Sequence, residues 1–150
     1  TSVYNYHSGV EMIPDDFSPL RVMNWPDQHY ANGVYKNDYT SRRYKRVVRI
    51  LKKLSNEMSE KGIQSAKATP SFLTECLVFN ASNICFDQSS YKSIIRSVLA
   101  ELFNNTISDD KCSEWGEVSE LKYLFRGAQP WTRQGAHQFL SDAWDYIGYS

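Results

Sequence analysis

The sequence has no GxGxxG, no GxxxxGK, no HExxH and no CxxC. The common nucleotide-loop, metalloprotease and zinc-ribbon signatures are thereby excluded. Its histidines, His7, His29 and His137, are scattered without metal-ligand spacing. Aspartates pair only as neighbours, Asp15-Asp16 and Asp109-Asp110, and no Asp-x-Asp occurs. A two-metal centre needs carboxylates converging from one side of a strand, where residues i and i+2 point the same way. The chain offers no such pair.

Cysteine is scarce, with only Cys76, Cys85 and Cys112, an odd set that fits free thiols in a reducing compartment. No apolar run approaches the ~18 residues that cross a bilayer, and no basic-then-apolar leader opens the chain. The expectation is a soluble, cytoplasmic protein without a membrane partner. Net charge is also absent, since Lys plus Arg and Asp plus Glu both number 17. General affinity for polyanions is therefore not a property of the whole surface, and any basic function must come from local clustering.

What is present is a globular composition, 41% hydrophobic and 14% aromatic over 150 residues, enough for one domain with its own core. Residues 3 to 13, VYNYHSGVEMI, alternate and turn at Ser8-Gly9, which predicts a hairpin. Leu20 to Trp25 reads as a further short strand after the prolines at 14 and 19. Two or three strands are marginal alone, so they are expected to complete a sheet supplied from elsewhere. The start at Thr1, directly in strand-like sequence, reads as a fragment or processed product.

From about Thr40 the pattern becomes helical. Tyr44, Val47, Val48, Leu51, Leu54 and Met58 form one apolar stripe, and Gly62 is a stop signal. A second helix is predicted from Pro70 through SFLTECLVFN, and a third over Tyr91 to Phe103 with Ser89 or Ser90 as its cap. A shorter one is predicted around 114 to 125, ending at Gly127, and a last one over roughly 132 to 147. The fold class is mainly α: about five helices over 38 to 150, preceded by a β element and connection over 1 to 37.

The first of these helices carries Arg42, Arg43, Lys45, Arg46, Arg49, Lys52 and Lys53 with no acidic residue among them. Arg42, Lys45, Arg46, Arg49 and Lys53 recur at helical spacing, and each like-charge neighbour costs roughly 0.2–0.5 kcal/mol. A strip that repels itself calls for an anion, although a run of charge is also the ordinary solvated face of a helix. Thr40-Ser41 can add a hydroxyl and backbone N–H groups at the helix N-terminus. Triphosphate or phosphodiester fits best, because arginine forks pair phosphate oxygens while lysine acts as a point charge.

Other features read two ways. NWPDQHY can place Trp25 and His29 at a cleft or make a packing corner. Ser71-Phe72 can offer a hydroxyl to phosphate and a ring to a base, or Phe72 can be core. Glu75, one turn on, can simply pair with a lysine, and QPW reads as a tight turn.

Taken in order, NWPDQHYANGVYKN, YKRVVRILKKLSNEM, PSFLTECLVFN, LKYLF, QPWT and AWDYIGY resemble the C-terminal portion of bacterial nucleotidyltransferases related to oligoadenylate synthetases. These include the cyclic-oligonucleotide synthases of antiphage signalling. The resemblance implies a helical lobe that faces a catalytic N-terminal lobe, with NTPs, ATP among them, bound between the two. The catalytic carboxylates and Mg2+ of such enzymes belong to the N-terminal lobe, so no catalytic residue carries over and this chain alone is expected to be inactive. What carries over, as implied by the resemblance, is triphosphate contact by Lys45, Arg46 and Arg49, and phosphate and base contact by Ser71 and Phe72. Lys36 and Thr40 join them as neighbours of the strip. Phe72 stands where the family often has tyrosine, which keeps a ring and drops a hydroxyl.

The implied activity is joining NTPs into a cyclic or linear second messenger with release of pyrophosphate. A non-catalytic module that binds RNA or DNA phosphates along the same helix is the competing reading, and a domain that docks the strip on an acidic partner is a third.

Overall fold

The computed structural model describes the backbone of residues 18–149 and the side chains of residues 26–149. The hairpin expected over 3 to 13 lies outside the described residues. Within them the chain is helical: α1 (Ser18–Tyr39), α2 (Tyr44–Glu60), α3 (Gln64–Lys67), α4 (Ser71–Phe79), α5 (Tyr91–Asn105), α6 (Asp109–Cys112) and α7 (Arg133–Ile147). A 3-10 turn, Asn83–Phe86, joins α4 to α5.

The strand expected over Leu20 to Trp25 is the first part of α1 instead. Six residues are too few to separate the two periods, and Pro19, read as a loop marker, suits a helix's first turn, where its missing N–H costs nothing. The helix then runs on through Pro26 and all of the segment expected to be a connection, as far as Tyr39.

α2 is the hub, packing against α1, α3, α4, α5 and α7. Tyr44, Val47, Val48, Leu51 and Met58, all in the expected stripe, are buried along it. Each such side chain contributes about 1.5–3 kcal/mol of burial. Gly62 ends the helix with φ 89, and the bonds Gly62 N–H to Ser59 O (3.0 Å) and Ile63 N–H to Met58 O (3.0 Å) close it as a Schellman motif. A residue with a Cβ would be strained there.

α4 is apolar nearly all round and buries Leu73, Cys76, Leu77 and Val78. α5 starts under the Ser90 side chain, which accepts from Ser93 N–H, and lays Ile94, Ile95, Val98, Leu99 and Leu102 into the core. α7 starts under Thr132, buries Ala136, Phe139, Leu140 and Ala143, and packs on α5.

The helix expected around 114 to 125 does not form. Gly116 and Tyr123 make an isolated antiparallel bridge, with Glu117 N–H bonded to Lys122 O at 2.9 Å and Leu124 N–H to Trp115 O at 2.8 Å. Val118 and Leu124 nevertheless reach the core from this irregular segment. Gly116 decides the matter: it costs a helix about 1 kcal/mol, and a Cβ there would sit 3.3 Å from Lys122 O in the observed turn.

Candidate functional site

The basic run does not form one uniform strip. Arg42 lies before α2, in a turn where Ser41 and Arg42 both take left-handed backbone, φ 55 and 66. Arg43 spends its guanidinium on the Phe86 carbonyl at 2.7 Å. Arg46 leans over Tyr91 at the start of α5, 5.3 Å from the ring centroid. Lys45, Arg49 and Lys52 share another face, at steps of four and three residues. The Lys45 ammonium stands 5.1 Å from the Tyr30 ring centroid on α1, and Arg49 is exposed with no ion pair among the described residues.

The α2 N-terminus is satisfied from within. Thr40 Oγ1 accepts from Tyr44 N–H at 3.0 Å, and Asn37 Oδ1 from Lys45 N–H at 3.0 Å. The anion site expected at Thr40-Ser41 is thus filled by the chain's own side chains, and Thr40 itself is buried. Lys36 is likewise committed. Its ammonium donates to Ala81 O and Asn83 Oδ1, both at 2.7 Å, and lies within 5.3–5.9 Å of the Phe86, Phe79 and Tyr44 ring centroids. Burial lowers its pKa to about 8.

The open helix end belongs to α4. Its first backbone bond runs from Thr74 N–H to Pro70 O, so the amides of Ser71, Phe72 and Leu73 precede the helical ladder at its positive end. Ser71 is exposed and so, at 39%, is the Phe72 ring. Phe72 is not core.

Around Phe72 the structure assembles a cluster drawn from four segments. His29 of α1 stacks on Phe72 with centroids 5.7 Å apart and rings inclined by 27°. Trp131, just before α7, lies 5.9 Å from it at 33°. His29 Nε2 and Glu75 Oε2 are 3.0 Å apart, and Lys52 Nζ reaches Glu75 Oε1 at 3.4 Å. Glu75 therefore pairs with a lysine, as one reading of the sequence had it, and with a histidine as well. The hydrogen bond to His29 is the chief cause that holds the Glu75 carboxyl below its ordinary range, against the opposing effect of burial.

His29 was legible as a cleft residue or part of a packing corner, and Trp131 only as part of a turn. No spacing links residues 29, 72 and 131; tertiary packing brings them together. Trp25 lies outside the described side chains. Of the expected site residues, Lys45 and Arg46 rest on the Tyr30 and Tyr91 rings with no ion pair among the described residues. Arg49, Ser71 and Phe72 are exposed, and Lys36 and Thr40 are committed to hydrogen bonds within the chain.

The model of the cGAS/DncV-like nucleotidyltransferase C-terminal helical domain matches residues 31–148. The chain belongs to that family. As this helical domain, it is 42% identical over 126 residues to a cyclic dipyrimidine nucleotide synthase CdnE of Legionella pneumophila, covering 84% of this chain and 41% of the relative. A CdnE of the same description from Cecembia lonarensis is 37% identical over 146 residues, 97% of this chain and 49% of the relative. The solved structure of the Elizabethkingia meningoseptica CdnE cyclic dinucleotide synthase with GTP and Apcpp superimposes with a TM-score of 0.76 at 36% identity, over 83% of this chain and 45% of that one. The helical domain thus spans less than half the length of these relatives.

Among the described residues no group of three or more His, Cys, Asp or Glu side chains could hold a metal ion. Nor, among those residues, is any helix long and apolar enough to cross a membrane.

Proposed function

We propose that this chain is the nucleotide-binding helical lobe of a cytoplasmic nucleotidyltransferase that links NTPs, ATP among them, into a cyclic or linear oligonucleotide messenger of antiphage signalling. Pyrophosphate leaves as each linkage to a 2′ or 3′ hydroxyl forms. The Mg2+ that such a reaction uses is bound by carboxylates of the N-terminal lobe, and the residues here act by binding and orientation alone.

The single observation that carries this reading is that the basic face of α2 runs into an exposed aromatic platform through the Lys52–Glu75 contact. Lys45 and Arg49 supply free positive charge for a triphosphate. Ser71 and the open amides of α4 supply donors for a phosphate oxygen. Phe72 supplies a face or edge for a base. Arg46, exposed beside Tyr91, adds a third positive charge at the α5 side, and Lys36 and Thr40 hold α1 to α2 and to the turn after α4. That the relatives are named cyclic nucleotide synthases supports the same assignment.

The test is steady-state synthesis by the natural full-length protein carrying Lys45→Ala with Arg49→Ala. An increase in nucleotide KM of about 100-fold or more is expected, since two charge-assisted contacts each contribute about 1.5–3 kcal/mol. Unchanged KM and kcat in a folded variant would remove the role assigned to α2. Binding of a labelled oligonucleotide that falls steeply with salt, without NTP turnover, would favour a nucleic-acid module instead.

A further inference from the structure

The charge at the distal end of the basic face is not free. Lys52 is the only cation of the Lys45–Arg49–Lys52 row that meets a carboxylate among the described residues. The same carboxylate, by its other oxygen, holds His29, and His29 lies against the ring of Phe72. Glu75 thus stands where the phosphate-binding face and the aromatic platform meet, with one oxygen committed to each. All three polar side chains are partly exposed, at 33% for Lys52, 26% for His29 and 24% for Glu75, so they border an accessible surface and not a sealed core.

We propose that Glu75 is the positioning residue of this site: through His29 it fixes the ring on which a base rests, and through Lys52 it withdraws one cation from the phosphate-binding face. Base and triphosphate are then recognised by separate groups, Phe72 with its neighbours for the first and Lys45 with Arg49 for the second. The inference rests on the nucleotide-binding reading above.

The chemistry makes the role specific to a carboxylate. An ionised glutamate presents two equivalent acceptor oxygens, one for each partner. The carboxylate can only accept, so His29 donates to it through Nε2–H. A glutamine of the same shape has one acceptor and one NH2 donor, and it keeps both partners only if His29 moves its proton to Nδ1. Glu75→Gln therefore changes little in volume while it loosens His29 from Phe72, releases the Lys52 ammonium or forces His29 into its other tautomer, and His29→Ala removes the first link whichever of these occurs.

The experiment measures binding of two probes, ATP and inorganic tripolyphosphate, to the natural full-length protein and to its Glu75→Gln, His29→Ala and Phe72→Ala variants, each first checked for an unchanged melting curve. Glu75→Gln and His29→Ala are expected to weaken ATP by about 10-fold, the loss of one charge-assisted hydrogen bond. Tripolyphosphate should bind Glu75→Gln as tightly as wild type, because no base is present, or tighter where the weaker amide acceptor lets the Lys52 ammonium go. If Phe72→Ala weakens ATP while Glu75→Gln and His29→Ala do not, the positioning role is overturned and the nucleotide site stands. Equal weakening of both probes by Glu75→Gln overturns it as well, since the carboxylate would then support the whole site. If Phe72→Ala leaves ATP binding intact, the base platform itself fails and the positioning role fails with it.

Discussion

Phe72, the second residue of α4, and Trp131, just ahead of α7, meet with ring centroids 5.9 Å apart. Trp131 is held there by its indole N–H, which donates to the buried Leu124 carbonyl at 2.8 Å. The irregular segment over 114 to 125 is thereby tied to the platform: it presents the carbonyl that orients the ring beside Phe72.

Trp131→Phe keeps an aromatic neighbour for Phe72 and loses the hydrogen bond to Leu124. A stability loss of about 1 kcal/mol is expected in chemical denaturation, with nucleotide KM retained. Trp131→Ala removes the ring as well, so it should raise KM for ATP besides lowering stability. An Ala variant that folds and keeps its KM would detach Trp131 from the site.

Much of the scaffold was legible because it obeys one period. The stripe from Tyr44 to Met58, the Ser90 cap and the Gly62 stop each depend on neighbours within one or two turns, and local sequence carries such information. Leu20 to Trp25 was misread because six residues fit more than one period, and 114 to 125 because the Gly127 stop was read without the cost of Gly116 inside the segment. Lys45, Arg49, Ser71 and Phe72 could be named from charge, spacing and resemblance. His29 could be named as one reading of NWPDQHY, but not as the partner of Phe72, because the two are joined by tertiary packing and by no sequence pattern.

Arg42 tests where the basic face begins. By spacing it extends the strip, yet it sits before α2 with φ 66, a backbone region that costs a non-glycine residue about 1 kcal/mol. Arg42→Gly should relieve that strain and raise the melting temperature by about 2–4 °C for a chain of this size. ATP binding should be unaffected. Weaker ATP binding in this variant would return Arg42 to the ligand-binding face.

Tyr44 is fully buried, and its hydroxyl finds no hydrogen-bond partner among the described residues. Burial is the main reason its phenol is pushed well above the ordinary tyrosine range. Packing does not need the oxygen, since the ring makes edge contacts with Phe79 and Phe86 at 6.0 and 6.4 Å. Tyr44→Phe removes an unpaired polar group and leaves the ring, so unfolding free energy should rise by about 1 kcal/mol. Urea denaturation decides it. A loss of similar size would mean that the hydroxyl is bonded in solution.

Lys36 gives the protein a pH dependence with a definite sign. Burial lowers its pKa to about 8, outweighing the opposite pull of Cys85, Glu101 and Glu120. In the unfolded chain the same amine titrates near ~10.4. Between these values the unfolded state holds a proton that the folded state has released, so stability rises with pH across that window. Below pH about 8 both states are protonated and the full penalty of burying the ammonium applies. Partial solvent screening leaves a climb of about 2 kcal/mol between pH 8 and 10. Lys36→Met removes the titrating group, so the variant's unfolding free energy should lack this rise once the titrations common to both proteins are subtracted. Paired urea denaturations at pH 7, 8, 9 and 10 make the comparison. The absolute stability of Lys36→Met does not enter, although the variant also leaves the Ala81 carbonyl and the Asn83 amide without their donor. Parallel curves for the two proteins would mean that the ammonium is hydrated, and that the bonds to Ala81 and Asn83 do not hold α1 to the turn after α4 in solution.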